Sequence, residues 1–191
     1  DNTLLMFTAD NGTKIGISSP MQDGSIVAGG KGTMPNAGTH VPFVASWPGT
    51  APRGKVNTDL IDFSDFFVTL ADLAGRPEQA ADADGRSFYA QLRGQSGTPR
   101  QFAFCHYVPR WGRLDKHRGR YVRTQSFKLY LDGRLFNVPA DVLEQSALVL
   151  RVASKLAYDE NETDQEASDA IGRDAANIGN VEVDLIRSVM G

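Results

Sequence analysis

The sequence predicts an α/β fold, and three observations carry that prediction. Leu4, Leu5, Met6 and Phe7 form a continuous apolar run near the start, the pattern of a strand buried on both faces of a parallel sheet. Phe63, Phe66, Phe67, Leu70, Leu73 and Ala74 recur at helical spacing, which predicts an amphipathic helix with one face on a core. Between residues 102 and 138, short segments rich in β-favouring residues follow closely on one another, as in an antiparallel sheet built from tight turns. With 191 residues, 41% apolar and 23% charged, the chain has the size of one ordinary domain or of a core with an appendage.

The elements can be justified in order. A strand that is apolar throughout needs neighbours on both edges, so a chain that opens with one reads as part of a larger domain. A glycine-rich stretch follows from Asp10 to Gly38, then a second apolar strand from Val41 to Trp47, punctuated by Pro48-Gly49. The helix is expected from Asp65 to Ala74, with Ser64 capping its first turn and Gly75 and Pro77 supplying its stop. A short helical turn is expected at Ser87 to Leu92. The β segments are Phe102 to Tyr107, Tyr121 to Thr124, Phe127 to Leu131 and Leu135 to Val138, with Asp132-Gly133 as a hairpin signal between the last two. From Asp141 onward there is no Pro, and Ala, Glu, Asp and Leu dominate, which favours helix with a thin apolar face. The organisation read from this is an α/β core over 1–97, an antiparallel subdomain over 98–140 and an acidic helical tail over 141–191.

Composition removes several function classes. One cysteine, Cys105, rules out an internal disulfide framework and a four-cysteine zinc site. A net charge of −3 argues against a nucleic-acid partner. No apolar run approaches the roughly 18 residues of a membrane-spanning helix, and no positively charged segment precedes the first apolar run. Charge is unevenly spread. Arg100 to Arg134 holds nine Lys/Arg against two Asp/Glu, a formal +7, and Asp141 to Gly191 holds eleven Asp/Glu against four Lys/Arg, a formal −7. Either the two regions neutralise each other or face solvent, or the basic one lines a path for an anionic ligand.

Candidate chemistry lies in the first part. Asp10-Asn11-Gly12 falls where the first strand ends, and open α/β sheets bind ligands at the carboxyl ends of their strands. Asp and Asn offer hard oxygen ligands, suited to calcium or magnesium rather than zinc; Asn-Gly is also an ordinary turn. Lys31 sits in Gly29-Gly30-Lys31-Gly32, where glycines let the main chain pass close to a ligand and the ammonium can meet an anion. It is not a phosphate-binding P-loop, because Ser25 stands where that motif needs Gly and Gly32 where it needs Ser or Thr. Alone, the motif is weak, and an exposed loop lysine is the better reading.

The order of these pieces is more specific than any one of them. Thr3 to Gly12, the Gly-Gly-Lys-Gly about twenty residues on, Gly38-Thr39-His40-Val41-Pro42-Phe43 and Trp47-Pro48-Gly49 resemble the second half of the sulfatase family. Asp62 to Gly75, Asp84-Gly85-Arg86-Ser87, Arg123-Thr124 and Lys128 to Asn137 resemble its later segments, so the likeness runs from Asp1 to Ser146. It implies an alkaline-phosphatase-like fold and hydrolysis of sulfate esters on a calcium ion. By the same resemblance Asp10 and Asn11 are metal ligands and Lys31 contacts the substrate sulfate. The family's nucleophile is a formylglycine made in a Cys/Ser-x-Pro/Ala-x-Arg motif, which this sequence lacks; Cys105 is followed by His106 and Tyr107.

The sequence departs from the family at Asn36, where an acidic residue is frequent, at Ala37, usually Gly, at His40, where Arg is common, and at Asp141-Val142, usually Asp-Pro. Without the nucleophile motif the chain is expected to be inactive alone. The alternatives are a phosphate or phosphonate ester hydrolase of the same superfamily and a non-catalytic association module. The implied substrate is a sulfated small molecule or sulfated carbohydrate, and the resemblance implies a periplasmic or secreted protein. Arg110 and Trp111, in the basic stretch between two predicted strands, are candidate substrate-selecting residues, since a guanidinium and an indole suit an anionic sugar with apolar ring faces. A second copy of the chain is an expected partner through core surface left uncovered.

Overall fold

The structure is a computed structural model that describes residues 2–108 and 118–148. In chain order its elements are β1 (Leu5–Thr8), β2 (Ser18–Pro20), β3 (Ile26–Ala28), α1 (Asn36–Thr39), β4 (Phe43–Ser46), α2 (Ser64–Leu73), a 3-10 turn at Pro77–Ala80, α3 (Tyr89–Leu92), β5 (Ala103–Tyr107), β6 (Gly119–Arg123), β7 (Phe127–Tyr130) and β8 (Leu135–Asn137). The chain divides into two compact units. The first joins the residues up to Asp10 with Val41–Ala103, and the second joins Asn11–His40 with the residues from Phe104 onward.

The first unit pairs β1 with β4 and packs α2 and α3. Its centre is aromatic: Phe43, Phe66 and Phe88 meet edge to face with ring centres 5.3–5.5 Å apart, a geometry the ring quadrupoles favour. Trp47 is buried and donates its indole N–H to Asn2 Oδ1 at 3.0 Å. Three expectations are corrected here. The first strand is not buried in a parallel sheet: β1 runs antiparallel to β4, with Phe7 opposite Val44, and Leu5, Phe7 and Val44 are exposed. Ser64 does not cap α2; its side chain makes no cap bond, and Asp62 Oδ1 takes the Ser64 N–H at 3.0 Å while Asp65 Oδ2 takes the Asp62 N–H at 2.8 Å.

The third correction concerns the buried face of α2. Asp65, Thr69 and Ala71 are buried, while Phe63, Phe67 and Leu70 are exposed. The physical reason is a set of hydrogen bonds from distant segments. Arg86 N–H reaches Asp65 Oδ1 at 2.7 Å, Phe88 N–H reaches Thr69 Oγ1 at 3.0 Å and the Ser87 hydroxyl reaches Asp72 at 2.6 Å. Arg100 places Nε 2.9 Å and a terminal nitrogen 2.5 Å from the two Asp65 oxygens. Buried polar groups need partners, and residues 86–88 and Arg100 supply them on this face.

The second unit holds the β2–β3 hairpin and the four-stranded sheet β5-β6-β7-β8. The segments expected between 102 and 138 form this sheet; β6, β7 and β8 pair antiparallel, with Tyr121 opposite Tyr130 and Lys128 opposite Phe136. Tyr121, Tyr130 and Phe136 form its buried cluster. The described part of the expected helical tail, residues 141–148, is turn and irregular chain rather than helix, because the Asp141 carboxylate takes the N–H groups of Gln145 at 3.0 Å and Ser146 at 2.7 Å. The rest of the tail and the stretch with Arg110 and Trp111 lie outside the described residues. No described helix is long and apolar enough to cross a membrane.

Candidate functional site

Lys31 stands at the corner of a tight turn in the second unit. Thr33 directs both its N–H, at 2.9 Å, and its hydroxyl, at 2.7 Å, to the carbonyl of Gly30. Gly32 has φ +83°, a conformation this kind of turn needs and side-chain-bearing residues resist. The Lys31 N–H is held by Thr13 O at 2.9 Å, and its side chain is exposed. Nearby, Gly12 donates its N–H to Gly38 O at 2.9 Å, and a Cβ at that position would meet the Ala37 carbonyl oxygen at 1.9 Å. Gly12 is therefore required by the close approach of α1, a constraint that an isolated Asn-Gly turn does not carry. Two main-chain bonds thus tie the loops that carry Asn11 and Lys31 to one another and to α1.

Asp10 is exposed and ends the first unit's opening segment; Asn11, half-buried, begins the second unit. Their carboxylate and amide oxygens are the hard donors that calcium takes, but two residues cannot fill a shell of about six to eight oxygens. Among the described residues no group of three or more His, Cys, Asp or Glu gathers to hold a metal ion.

Behind the Lys31 turn lies a buried ionic network. Lys128 Nζ is 2.9 Å from Glu144 Oε1, with side chains 0% and 2% exposed. The same ammonium donates to Met34 O at 2.7 Å and lies 4.0 Å and 5.2 Å from the ring centres of Tyr121 and Tyr130. Glu144 also accepts the Asn36 N–H at 2.8 Å and the Tyr130 hydroxyl. Asn36 is buried; its amide donates to Val142 O at 3.3 Å and accepts from Arg123 at 3.2 Å. Arg123 Nε is buried and finds no acceptor among the described residues.

Burial pushes Lys128 down to about 8, with Glu144 pulling it back up. Burial also raises both phenols well above their ordinary range, Tyr130 with help from Glu144, so they stay neutral donors. His40, just after α1, is held below the usual imidazole range by desolvation first and then by Arg123 and Lys128.

These contacts also account for part of the basic segment. Arg100 is paired with Asp65 and Lys128 with Glu144 away from solvent, and Arg134 with Asp132 at the exposed surface, so those three charges already have partners within the chain. Cys105 lies half-buried on β5 against the Tyr121–Tyr130–Phe136 cluster. Sequence reasoning missed Glu144 and the role of Lys128. One signal was present: Lys128 and Tyr130 are two apart in a strand and share a face, which puts the lysine on the same side as a core tyrosine. Glu144 adds a backbone signal only the structure gives, a left-handed φ of 55°.

Comparison with known proteins gives a consistent result. Residues 1–76 match the family model for sulfatases. The chain is 35% identical over 131 residues to arylsulfatase A of Homo sapiens, a match covering 68% of this chain and 25% of that protein. It is 37% identical over 103 residues to N-acetylgalactosamine-6-sulfatase of Canis lupus familiaris, covering 52% of this chain and 20% of the relative. Among solved structures, one in complex with its substrate D-glucosamine-2-N,6-O-disulfate superposes with a TM-score of 0.63 at 22% identity, covering 88% of this chain and 35% of that one. A 2-O GAG sulfatase superposes with a TM-score of 0.57 at 22% identity over 93% of this chain and 35% of its own. At that identity the superpositions speak for the fold, and the chain spans a quarter or less of these curated relatives.

Proposed function

Residues 1–76 are a sulfatase-family segment, and on that premise we propose that this chain is the C-terminal part of a sulfuric ester hydrolase acting on sulfated carbohydrates or sulfated small molecules. The observation that carries the reading is the pinned turn within the matched segment, which offers the Lys31 ammonium from a fixed corner. As the S–O ester bond breaks, negative charge builds on the leaving group and the sulfate oxygens. A cation already in place stabilises that charge without reorganising. Lys31 therefore binds and orients the sulfate group through its non-bridging oxygens.

Asp10 and Asn11 would give a carboxylate and an amide oxygen to a calcium ion whose other ligands come from outside this chain. When bound, that ion supplies Lewis-acid polarisation of the sulfate. The nucleophile also lies outside, since the formylglycine motif is absent from the sequence and Cys105 is part of β5. The relatives named N-acetylgalactosamine-6-sulfatase support a sulfated sugar as substrate class, with Arg110 and Trp111 selecting it.

The test is direct. The purified 191-residue chain, supplied with calcium, leaves 4-nitrophenyl sulfate intact. Metal-dependent turnover by this chain, abolished by Lys31→Ala, would overturn the division of labour proposed here.

A further inference from the structure

We infer that the buried Lys128–Glu144 pair is a positioning device for the Lys31 turn, so that β7 and the segment after β8 set where the Lys31 ammonium stands. The inference rests on the reading of Lys31 as the sulfate-contacting residue. Four observations within the second unit support it.

The first is where the pair's hydrogen bonds go. Lys128 reaches back 94 residues to the carbonyl of Met34, and Glu144 reaches back 108 residues to the N–H of Asn36. Met34 and Asn36 lie three and five residues after Lys31. The pair thus holds the main chain where it leaves the turn, while Thr13 holds it at Lys31 itself.

The second is that stability alone does not explain a buried ion pair. Desolvating two charges offsets most of their attraction, and an apolar pair of similar volume is often as stable. Tyr121 and Tyr130 soften the cost for the ammonium, and the Tyr130 hydroxyl does so for the carboxylate. What an apolar pair could not do is bond two main-chain groups of a neighbouring segment in opposite senses, donating to one and accepting from the other.

The third is strain. Glu144 is the only non-glycine among the described residues with positive φ. A left-handed conformation is disfavoured for a side chain with a Cβ and persists where the surroundings over-determine it. Here it delivers the carboxylate to a buried point with three donors. The fourth is connection: Gly38, in α1, accepts the Gly12 N–H, so the held segment also fixes the loop that begins at Asn11.

The experiment is residue-resolved hydrogen exchange on the full 191-residue chain, comparing the parent with Lys128→Met/Glu144→Leu. This double variant removes both charges together, so the sheet is not left with an unpaired one. The reporters are the amides of Gly12, Lys31 and Thr33 in the tied loops and of Thr124 and Tyr130 in the sheet, all hydrogen-bonded in the parent. The expected result is exchange faster by about tenfold or more at Gly12, Lys31 and Thr33, with Thr124 and Tyr130 unchanged. Parent rates at the loop amides, or an equal rise at the sheet amides, would overturn the inference.

A second readout separates positioning from general support. In the longer protein that carries this chain, the double variant lowers kcat on 4-nitrophenyl sulfate about tenfold, and in a Lys31→Ala background it costs nothing more, because the pair acts through Lys31. A further tenfold loss in that background overturns the inference. If no sulfate ester is turned over at all, the functional reading fails, and the exchange rates still decide the positioning of the turn.

Discussion

Asp65 on α2 gathers the polar contacts on the buried face of that helix. Its carboxylate is 2% exposed and accepts four donors: the N–H groups of Asp62 and Arg86 and two nitrogens of Arg100, itself 10% exposed. Asp65→Ala leaves a buried guanidinium uncompensated and two main-chain N–H groups without an acceptor. Removing one partner of a buried pair costs about 3–5 kcal/mol, against a total domain stability of roughly 5–15 kcal/mol. With a urea slope of about 1–3 kcal/mol per molar, the midpoint falls by roughly 1–5 M. Urea unfolding followed by the fluorescence of Trp47, buried in the same unit, measures it.

The control is Glu78→Ala. Arg76 and Glu78 approach to the same 2.5 Å but are 63% and 57% exposed, so that variant leaves the midpoint where it was. Distance is equal in the two pairs, so the contrast rests on burial and on the two main-chain N–H groups that Asp65 also holds. A midpoint for Asp65→Ala within about 0.3 M of the parent, or a comparable fall for Glu78→Ala, would refute the reasoning.

Two further predictions concern the same architecture. The His40 imidazole titrates below its ordinary value, and Lys128→Met or Arg123→Gln moves its midpoint up; proton NMR across pH 4–8 reads this, and unchanged midpoints contradict the electrostatic account. The sign for stability follows: between the ordinary imidazole value, about 6.5, and the lower folded one, the unfolded chain takes up a proton that the folded chain refuses, so this group's contribution is lost as pH falls through that window. The uncovered β1–β4 face, with Leu5, Phe7 and Val44 exposed, is expected to make the chain self-associate. Phe7→Lys weakens that association in sedimentation at high concentration, and a parent that sediments as a monomer contradicts it.

What the sequence reveals depends on how far apart the deciding residues lie. The antiparallel sheet after residue 102 is legible because β-favouring composition and the Asp132-Gly133 turn act locally. The direction of β1 is not, because its partner β4 is set by a contact some forty residues away, from Leu5 to Ser46. The apolar spacing of α2 points to Phe63, Phe67 and Leu70, yet the polar Asp65 and Thr69 are buried because residues 86–88 and Arg100 supply their partners. The glycines around Lys31 mark a sharp turn from sequence alone. The pair that holds its exit bridges 94 and 108 residues, and no local pattern reports a contact at that range.

The central claim is that Lys31 serves sulfate-ester hydrolysis. It is tested most directly by expressing the reading frame with its upstream sequence and comparing kcat/KM for 4-nitrophenyl sulfate in the parent and in Lys31→Ala. The account predicts turnover of the sulfate ester in preference to 4-nitrophenyl phosphate and a loss of about 10²–10³ in the variant, the scale for removing one preorganised group that stabilises developing charge. Preference for the phosphate ester, or parent-like turnover of the sulfate ester by Lys31→Ala, would contradict it.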